Sequence, residues 1–390
     1  MYKYRPAINP LGRDLKLWRR KDIPMQGGFL RLLDGTIGRL FYGVSWIFTL
    51  LPKSRKKRIL AIKFWALGDT LDMLPALAAI RKGMHDHEIT VLCTKNNAAV
   101  FELSGIADRI IVLDYGNPIN IIKTMVTLAK GFSVCVDFEP FAYMSASFSA
   151  LTRASKRIGF SSRKILYTES ARPQKMHAVH NFMNLARFLV RAHDPTALVK
   201  LKVSAKAKSS ANNILPKGRI IGIHAGSSSS SKIRRWNENN FAKLADTLAS
   251  KHNATIAIIG GRLDTQAASK VEKLMKSNPI NLAGKIDLET LAACMEKMSL
   301  FVANDSGPMH LASAMKVPTI GLFGPNKPEL YGPYGRDCIG LYKGPEEPYI
   351  KPFEARFPEK YKPEYDVNKI TVQEVVRAAA KLLGRGNSRP

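Results

Sequence analysis

Residues 304–325 read NDSGPMHLASAMKVPTIGLFGP, and their pattern decides the fold. A short apolar stretch, Leu300 to Ala303, leads into the polar turn Asn304-Asp305-Ser306-Gly307-Pro308. The spacing predicts a helix from Met309 to Met315 and a strand from Thr319 to Phe323, closing on Gly324-Pro325. Pro308 suits the first turn of a helix, and the turn residues before it can cap that helix. A helix start offers unpaired N–H groups and a positive dipole end, so this turn can hold an anion such as a diphosphate without a metal.

Outward from that run the same alternation recurs. Ile59 to Phe64 has a buried-strand pattern, Trp65 to Thr70 reads as a loop, and a helix is predicted from Asp72 to Met84. Further strands are predicted at Ile89 to Cys93, Arg109 to Leu113 and Val134 to Asp137, with helices between them and another from Met176 to Ala192. The polar stretch KAKSSANNILPK, Lys206 to Lys217, reads as a linker. A second series follows: strand Arg219 to His224, loop Ala225 to Arg235, helix Glu238 to Lys251, strand Thr255 to Gly260, and helices Thr265 to Lys276 and Leu288 to Glu296. Strands alternating with helices predict an α/β fold of two doubly wound, Rossmann-like domains facing a central cleft. Ligands of such sheets bind beyond the carboxyl ends of the strands, which singles out loops 65–70, 225–235 and 304–308.

The expected organisation is a basic, apolar N-terminal arm at 1–57, a first Rossmann-like domain at 58–210 and a second at 217–370. A C-terminal helix, Val372 to Leu383, and tail follow at 371–390. Pro345 to Pro363, rich in proline and charge, is expected to be irregular. At 390 residues and 45% hydrophobic content the chain can bury two sizeable cores. Its net charge of +29 favours anionic partners: nucleic acid, acidic lipid or a phosphorylated substrate. Cys93, Cys135, Cys294 and Cys338 form no CxxC pair, which excludes zinc-finger and thioredoxin readings and suits a reducing compartment. The first 28 residues lack the apolar core and cleavage site of a secretory signal.

Residues 1–58 hold 14 Lys or Arg against 3 Asp. Within them Leu30, Leu33, Ile37, Leu40, Val44, Ile47 and Leu51 recur at helical spacing, Trp18, Tyr42 and Trp46 suit an interface, and Lys53 to Arg58 is a basic cluster. The apolar run Leu40 to Leu51 is too short to span a bilayer, which takes roughly 20 residues. An amphipathic helix with a polybasic cluster reads as a membrane-surface element; the plainer alternative is a helix packed on the protein's own first domain.

Several residues can carry chemistry. Asp69, after Gly68, can accept a proton from an attacking hydroxyl, or it caps a helix; if Asp72 is the cap, Asp69 is free. The loop HAGSSSSSKIRRW supplies Ser227, Ser228, Lys232, Arg234 and Arg235, hydroxyls and cations that suit a departing diphosphate, or a solvated loop. His310 is a phosphate donor or a core histidine; Glu289 accepts from ribose hydroxyls or sits in a helix first turn. Asp137 and Glu139 are a weak metal pair and a better strand end, and His177 and His180 read as structural. No P-loop, GxGxxG, HExxH or GxSxG occurs.

From about Arg58 to Gly335 the chain resembles the family 9 glycosyltransferases, the lipopolysaccharide heptosyltransferases. The resemblance rests on ALGDTLDMLPALAAIRK, IGIHAGSSSSSKIRRWNENNFAKLADTL, IAIIGG, LAGKIDLETLA and NDSGPMHLASAMKVPTIGLFGP in that order. It implies a GT-B fold and an inverting, metal-independent glycosyltransferase. That enzyme would move a heptose-like sugar from a nucleotide-sugar donor, ADP-heptose by this likeness, to a lipopolysaccharide core or related surface glycan. No cofactor is implied, the donor being a substrate. By the same likeness Asp69 resembles the catalytic base. Ser227, Ser228, Lys232, Arg234, Glu289, Asp305, Ser306, Gly307 and His310 resemble donor-binding residues. Arg234 stands where relatives often have lysine, and Asp72 where close relatives often have histidine. The expected partners are the donor, a lipid-linked saccharide acceptor and the inner-membrane surface, with no nucleic acid. The expected location is the cytoplasmic face of that membrane. The competing readings are a non-catalytic basic protein on the same fold, bound to membrane or nucleic acid, and a nucleotide-sugar epimerase.

Overall fold

A computed structural model describes residues 34–227, 232–349, 353 and 362–386. The first of its two sheets contains β1 (Arg58–Lys63), β2 (Glu88–Thr94), β3 (Arg109–Leu113), β4 (Val134–Asp137), β5 (Lys156–Phe160) and β6 (Glu169–Ala171). They lie in the order β3-β2-β1-β4-β5-β6, every pair parallel. The helices of this half are α1 (Arg39–Ser45), α2 (Leu67–Gly83), α3 (Lys95–Ser104), α4 (Pro118–Ala129), α5 (Tyr143–Leu151) and α6 (Ala178–Ala186). The second sheet contains β7 (Arg219–His224), β8 (Ala254–Ile258), β9 (Ile280–Asn281), β10 (Met298–Asn304), β11 (Thr319–Phe323) and β12 (Cys338–Tyr342). Its order is β12-β11-β10-β7-β8-β9, again all parallel. Its helices are α7 (Ala205–Ile214), α8 (Glu238–His252), α9 (Thr265–Leu274), α10 (Leu288–Met295), α11 (Gly307–Ala314), α12 (Pro328–Tyr331) and α13 (Val372–Gly386).

Numbered from its own first strand, each sheet has the doubly wound order 3-2-1-4-5-6. The order reverses between β1 and β4 in one half and between β7 and β10 in the other, and such switch points are where these sheets leave a crevice. Strands covered on both faces must be apolar throughout, and Ile59 to Ile62 and Ile220 to Ile223 are buried without interruption. One cluster of buried side chains runs from Leu74 and Leu77 in α2 to Met309 and Leu311 in α11, so the halves share a core beneath the cleft.

The helix after β1 starts at Leu67, earlier than the sequence suggested. Ala66 takes φ 65°, which turns the chain from strand to helix within three residues. Neither Asp69 nor Asp72 therefore caps the helix: Asp69 lies inside its first turn and Asp72 is wholly buried. The stretch expected as a linker is helical from Ala205 to Ile214, with Ser204 Oγ accepting from Ala207 N at 3.2 Å. Helices α5 and α12 and strands β5, β6, β9 and β12 were missed. In α5 every residue from Met144 to Leu151 is buried, serines included, so no polar face marks it. Helix α13 closes the second core through Val375, Ala379 and Leu382. Most of 345–363 lies outside the described residues.

The described part of the arm is a π-helical turn, Asp34–Gly38, then α1 and a 3-10 turn, Trp46–Leu50. It packs on α5. Asp34 accepts from Tyr143 N at 3.0 Å and Met144 N at 2.8 Å, and the Phe41 and Phe148 rings meet edge-on at 6.2 Å. Phe41 and Phe48, off the expected stripe, make the packing; Ile37, Leu40, Val44 and Ile47, on it, face solvent. Trp18, Leu30 and Leu33 lie outside the described residues. Among the described residues no helix is long and apolar enough to cross a membrane.

Candidate active site

Strand β1 ends on Lys63, whose ammonium is buried at the switch point of the first sheet. Lys63 Nζ lies 3.0 Å from Glu139 Oε1 and 3.8 Å from Asp69 Oδ2. Glu139 Oε1 also accepts from Phe64 N at 2.6 Å and Trp65 N at 3.0 Å, so one carboxylate fixes the turn that launches α2. Asp137 accepts from Glu139 N at 2.9 Å and from Tyr167 OH at 2.7 Å. The Asp137–Glu139 pair is thus taken up by protein donors. Among the described residues no group of three or more His, Cys, Asp or Glu could hold a metal ion. Side chains of Lys63 and Glu139 are 1% exposed, whereas Asp69 is 29% exposed, so Asp69 alone of the three reaches the cleft. Burial drives the Asp69 carboxyl above the usual carboxylate range, with the Lys63 charge opposing it.

The second wall is built on Asn304, buried at the end of β10. Its Oδ1 accepts from Trp236 N at 3.0 Å, and its Nδ2 donates to Ala225 O at 2.9 Å and Gly226 O at 3.1 Å, tying the loop after β7 to the turn after β10. His224 Nδ1 lies 3.0 Å from Ser306 Oγ and its Nε2 3.3 Å from Asp264 Oδ2. Asp264 in turn accepts from Gly261 N at 2.9 Å. Burial pushes the Asp264 carboxyl up, but the His224 contact and the Gly261 N–H hold it below the ordinary value. Arg234 Nη1 pairs with Asp305 Oδ2 at 3.3 Å, and Asn326 Nδ2 donates to the same oxygen at 2.5 Å. Arg235 donates to Ser227 Oγ at 3.0 Å and Ser227 O at 3.3 Å. Trp236, buried, anchors the loop exit by donating to Ile370 O at 2.9 Å.

Gly226 is required here. A Cβ at this position would overlap the Asp264 carboxylate and the His224 ring, both held by hydrogen bonds. Gly226→Ala is expected to cost about 1–3 kcal/mol as an overpacked site, read as a lower denaturant midpoint. An unchanged midpoint would mean that the loop moves aside freely.

The walls meet through the starts of α2 and α11. His310 Nδ1 lies 3.0 Å from Asp72 Oδ1 across the domain boundary, both groups buried. Burial lowers the His310 pKa, and the Asp72 carboxylate more than reverses this, so the imidazole is held above its ordinary value. A Cβ on Gly68 would come 2.6 Å from His310 Cδ2, so only glycine lets the two helix starts approach this closely. Two positive helix ends and the Arg234 guanidinium thereby converge on the cleft beside Asp69, a setting for an anion.

The structure brings Asp69, Ser227, Arg234, Asp305, Ser306, Gly307 and His310 to these two walls. Lys232 is exposed at the start of the 3-10 turn Lys232–Arg234, and Ser228 lies outside the described residues. Glu289 Oε1 accepts from Ser204 N at 2.9 Å, on the segment leading into α7. The sequence reading missed the parts played by Lys63, Glu139, His224, Asp264 and Asn304. The signal was a charged or polar residue ending each apolar strand run, at Lys63, His224 and Asn304.

Two doubly wound domains whose switch points face one cleft make a GT-B fold. The profile of glycosyltransferase family 9 (heptosyltransferase) matches residues 136–354, and the chain belongs to that family. Lipooligosaccharide heptosyltransferase 2 of Campylobacter jejuni is 29% identical over 271 residues, 67% of this chain and 79% of the relative. A family 9 glycosyl transferase from Veillonella parvula superposes with a TM-score of 0.72 at 23% identity, covering 86% of this chain and 100% of that one. The ADP-heptose lps heptosyltransferase II of E. coli gives 0.70 at 21% identity, covering 85% and 100%. At those identities the two structures show the fold.

Proposed function

We propose that this glycosyltransferase moves a heptose-type sugar from ADP-heptose to a lipid-linked acceptor of the lipopolysaccharide core, with inversion and without a metal. The observation that carries this reading is the Asp69 carboxylate, held at the cleft beside Lys63 and facing the start of α11. The acceptor hydroxyl gives its proton to Asp69 as its oxygen attacks the anomeric carbon; the bond to the diphosphate breaks on the opposite face. The leaving diphosphate takes the electron pair, and its charge is met by Arg234, Lys232, the Ser227 loop and the N–H groups of α11. Glu289 takes the ribose hydroxyls once the Ser204 contact is exchanged for the donor. The family description and the names of the relatives support heptose and ADP as donor parts. The arm is the membrane element: its outward stripe and the Lys53 to Arg58 cluster suit the anionic inner face of the cytoplasmic membrane.

The test incubates the full chain with ADP-heptose and a lipid-linked core acceptor, with product anomer read by NMR. Transfer with the opposite anomeric configuration, undiminished by EDTA, is expected. Retention, or activity lost to EDTA and restored by Mg²⁺, would overturn the mechanism. Failure of ADP, UDP, GDP and CMP alike to raise the melting temperature would favour a non-catalytic protein on this fold.

A further inference from the structure

Helix α4 presents Ile119, Ile122 and Val126 to solvent at 64%, 60% and 57% exposure. Their spacing of three and four residues makes one stripe along the helix, while Thr124 and Leu128 are buried on the opposite face. The residues a soluble helix normally turns inward are thus displayed on two faces of α4 at once. The arm does the same one layer away, with Ile37, Leu40, Val44, Ile47 and Leu50 each more than half exposed.

The two stripes belong to one side of the first sheet. Phe41 and Phe48 of the arm pack in the same apolar cluster as Ile121, Met125 and Leu128 of α4, around Phe148 of α5. At the far end Lys56 Nζ donates to Lys130 O at 2.9 Å, joining the basic cluster after the arm to the last turn of α4. Residues 35–58 and 115–133 contain no Asp or Glu, whereas Arg39, Lys53, Arg55, Lys56, Lys57, Lys123 and Lys130 lie within them. Large apolar side chains standing clear of two segments whose only charged residues are cations suit a bilayer with anionic headgroups better than a protein groove.

We propose that α4 is a second membrane-docking element, its Ile119–Ile122–Val126 stripe entering the same anionic leaflet as the arm. This rests on the reading of the arm given above. Helix α4 begins after β3, at the edge of the sheet from which Asp69 rises, and Asp34 places the first described turn of the arm at the N-terminus of α5 on that same edge. With both helices flat on the lipid, the cleft opens at the membrane surface, where a lipid-anchored acceptor presents its sugar.

The experiment is flotation of the full chain with phosphatidylglycerol/phosphatidylethanolamine vesicles, with phosphatidylcholine vesicles as the uncharged control. The variants are Ile119→Ser/Ile122→Ser/Val126→Ser in α4 and Leu40→Ser/Val44→Ser/Ile47→Ser in the arm. Each is expected to lower the bound-to-free ratio on anionic vesicles by about tenfold or more, as loss of buried apolar area predicts. Wild-type flotation by the α4 variant with loss by the arm variant would overturn the role of α4 and leave the arm. Loss by the α4 variant alone would uphold α4 and refute the arm; loss by neither would refute both. A lipid-free dimer that only the α4 variant dissociates would also overturn the proposal, since the stripe would then be a contact between copies. A milder variant guards against misfolding: Ile122→Cys carrying an environment-sensitive dye, with Cys338→Ser removing the one cysteine that is not buried. A blue shift on anionic vesicles is expected, and no shift would overturn the role of α4.

Discussion

Asp69→Ala is expected to lower turnover by roughly 10²-fold or more, the share usual for a positioned general base. Donor affinity should change little, because the contacts assigned to the diphosphate come from the other wall of the cleft. Asp69 is fitted to this work by its surroundings. It is near enough to Lys63, at 3.8 Å, to be oriented by that charge, yet 29% exposed and so open to an acceptor. Burial raises its pKa, which makes it a stronger base than a solvated carboxylate. The sign follows: the ionised form is the active one, so kcat/KM should fall as the pH drops through a value above the ordinary 3.8. Asp69→Asn keeps the shape and removes the base, and should abolish that acid limb along with turnover. Near-normal turnover in Asp69→Ala with nucleotide still bound would remove Asp69 from the mechanism.

The parts of the fold legible in the sequence are those where one local rule decides. Val134–Asp137, Arg219–His224 and Thr319–Phe323 emerge with their predicted ends because a parallel strand buried on both faces is a continuous apolar run bounded by polar residues. Pro308 marked the start of α11, which begins one residue before it, at Gly307. Likeness to family 9 was legible for a related reason: its motifs are the short loops at strand ends, where few residue types fit. Helix α5 was illegible because two of its serines donate to nearby backbone, Ser145 to Ala142 O and Ser147 to Tyr143 O, and so sit inside a core. The site pairs were illegible for reasons of distance along the chain. His310 finds Asp72 238 residues away, and Lys63 finds Glu139 76 residues away. No local pattern encodes either partner. The amphipathic stripe of the arm was legible, and the membrane-surface reading already turned it outward; the side that packs was not, because Phe41 and Phe48 lie off the stripe.

Lys63→Met should be the most destabilising change in the first wall, costing about 3–5 kcal/mol, because it removes one partner of a buried pair. Its ammonium is 1% exposed and lies 3.0 Å from a Glu139 carboxylate that is equally buried. Burial alone would lower the lysine pKa; Glu139 first, then Asp69 and Asp137, reverse this and leave it raised. A raised folded pKa means that the stabilisation is fully present below the unfolded lysine value of 10.5 and is lost only as the pH rises through the folded value. The deficit of the variant should therefore appear at neutral pH, as a lower denaturant midpoint. It should also move the chemistry. Lys63 is the largest influence holding the Asp69 pKa down, so without it the acid limb of kcat/KM should shift to higher pH. Glu139→Gln separates the two effects. It keeps the side-chain oxygen that accepts from Phe64 N and Trp65 N, and so spares the turn into α2. It also removes the stronger competitor for the lysine charge and a carboxylate that raises the Asp69 pKa, so its acid limb should move the other way. Limbs that stay in place in both variants would reduce Lys63 and Glu139 to a structural pair and detach them from the base.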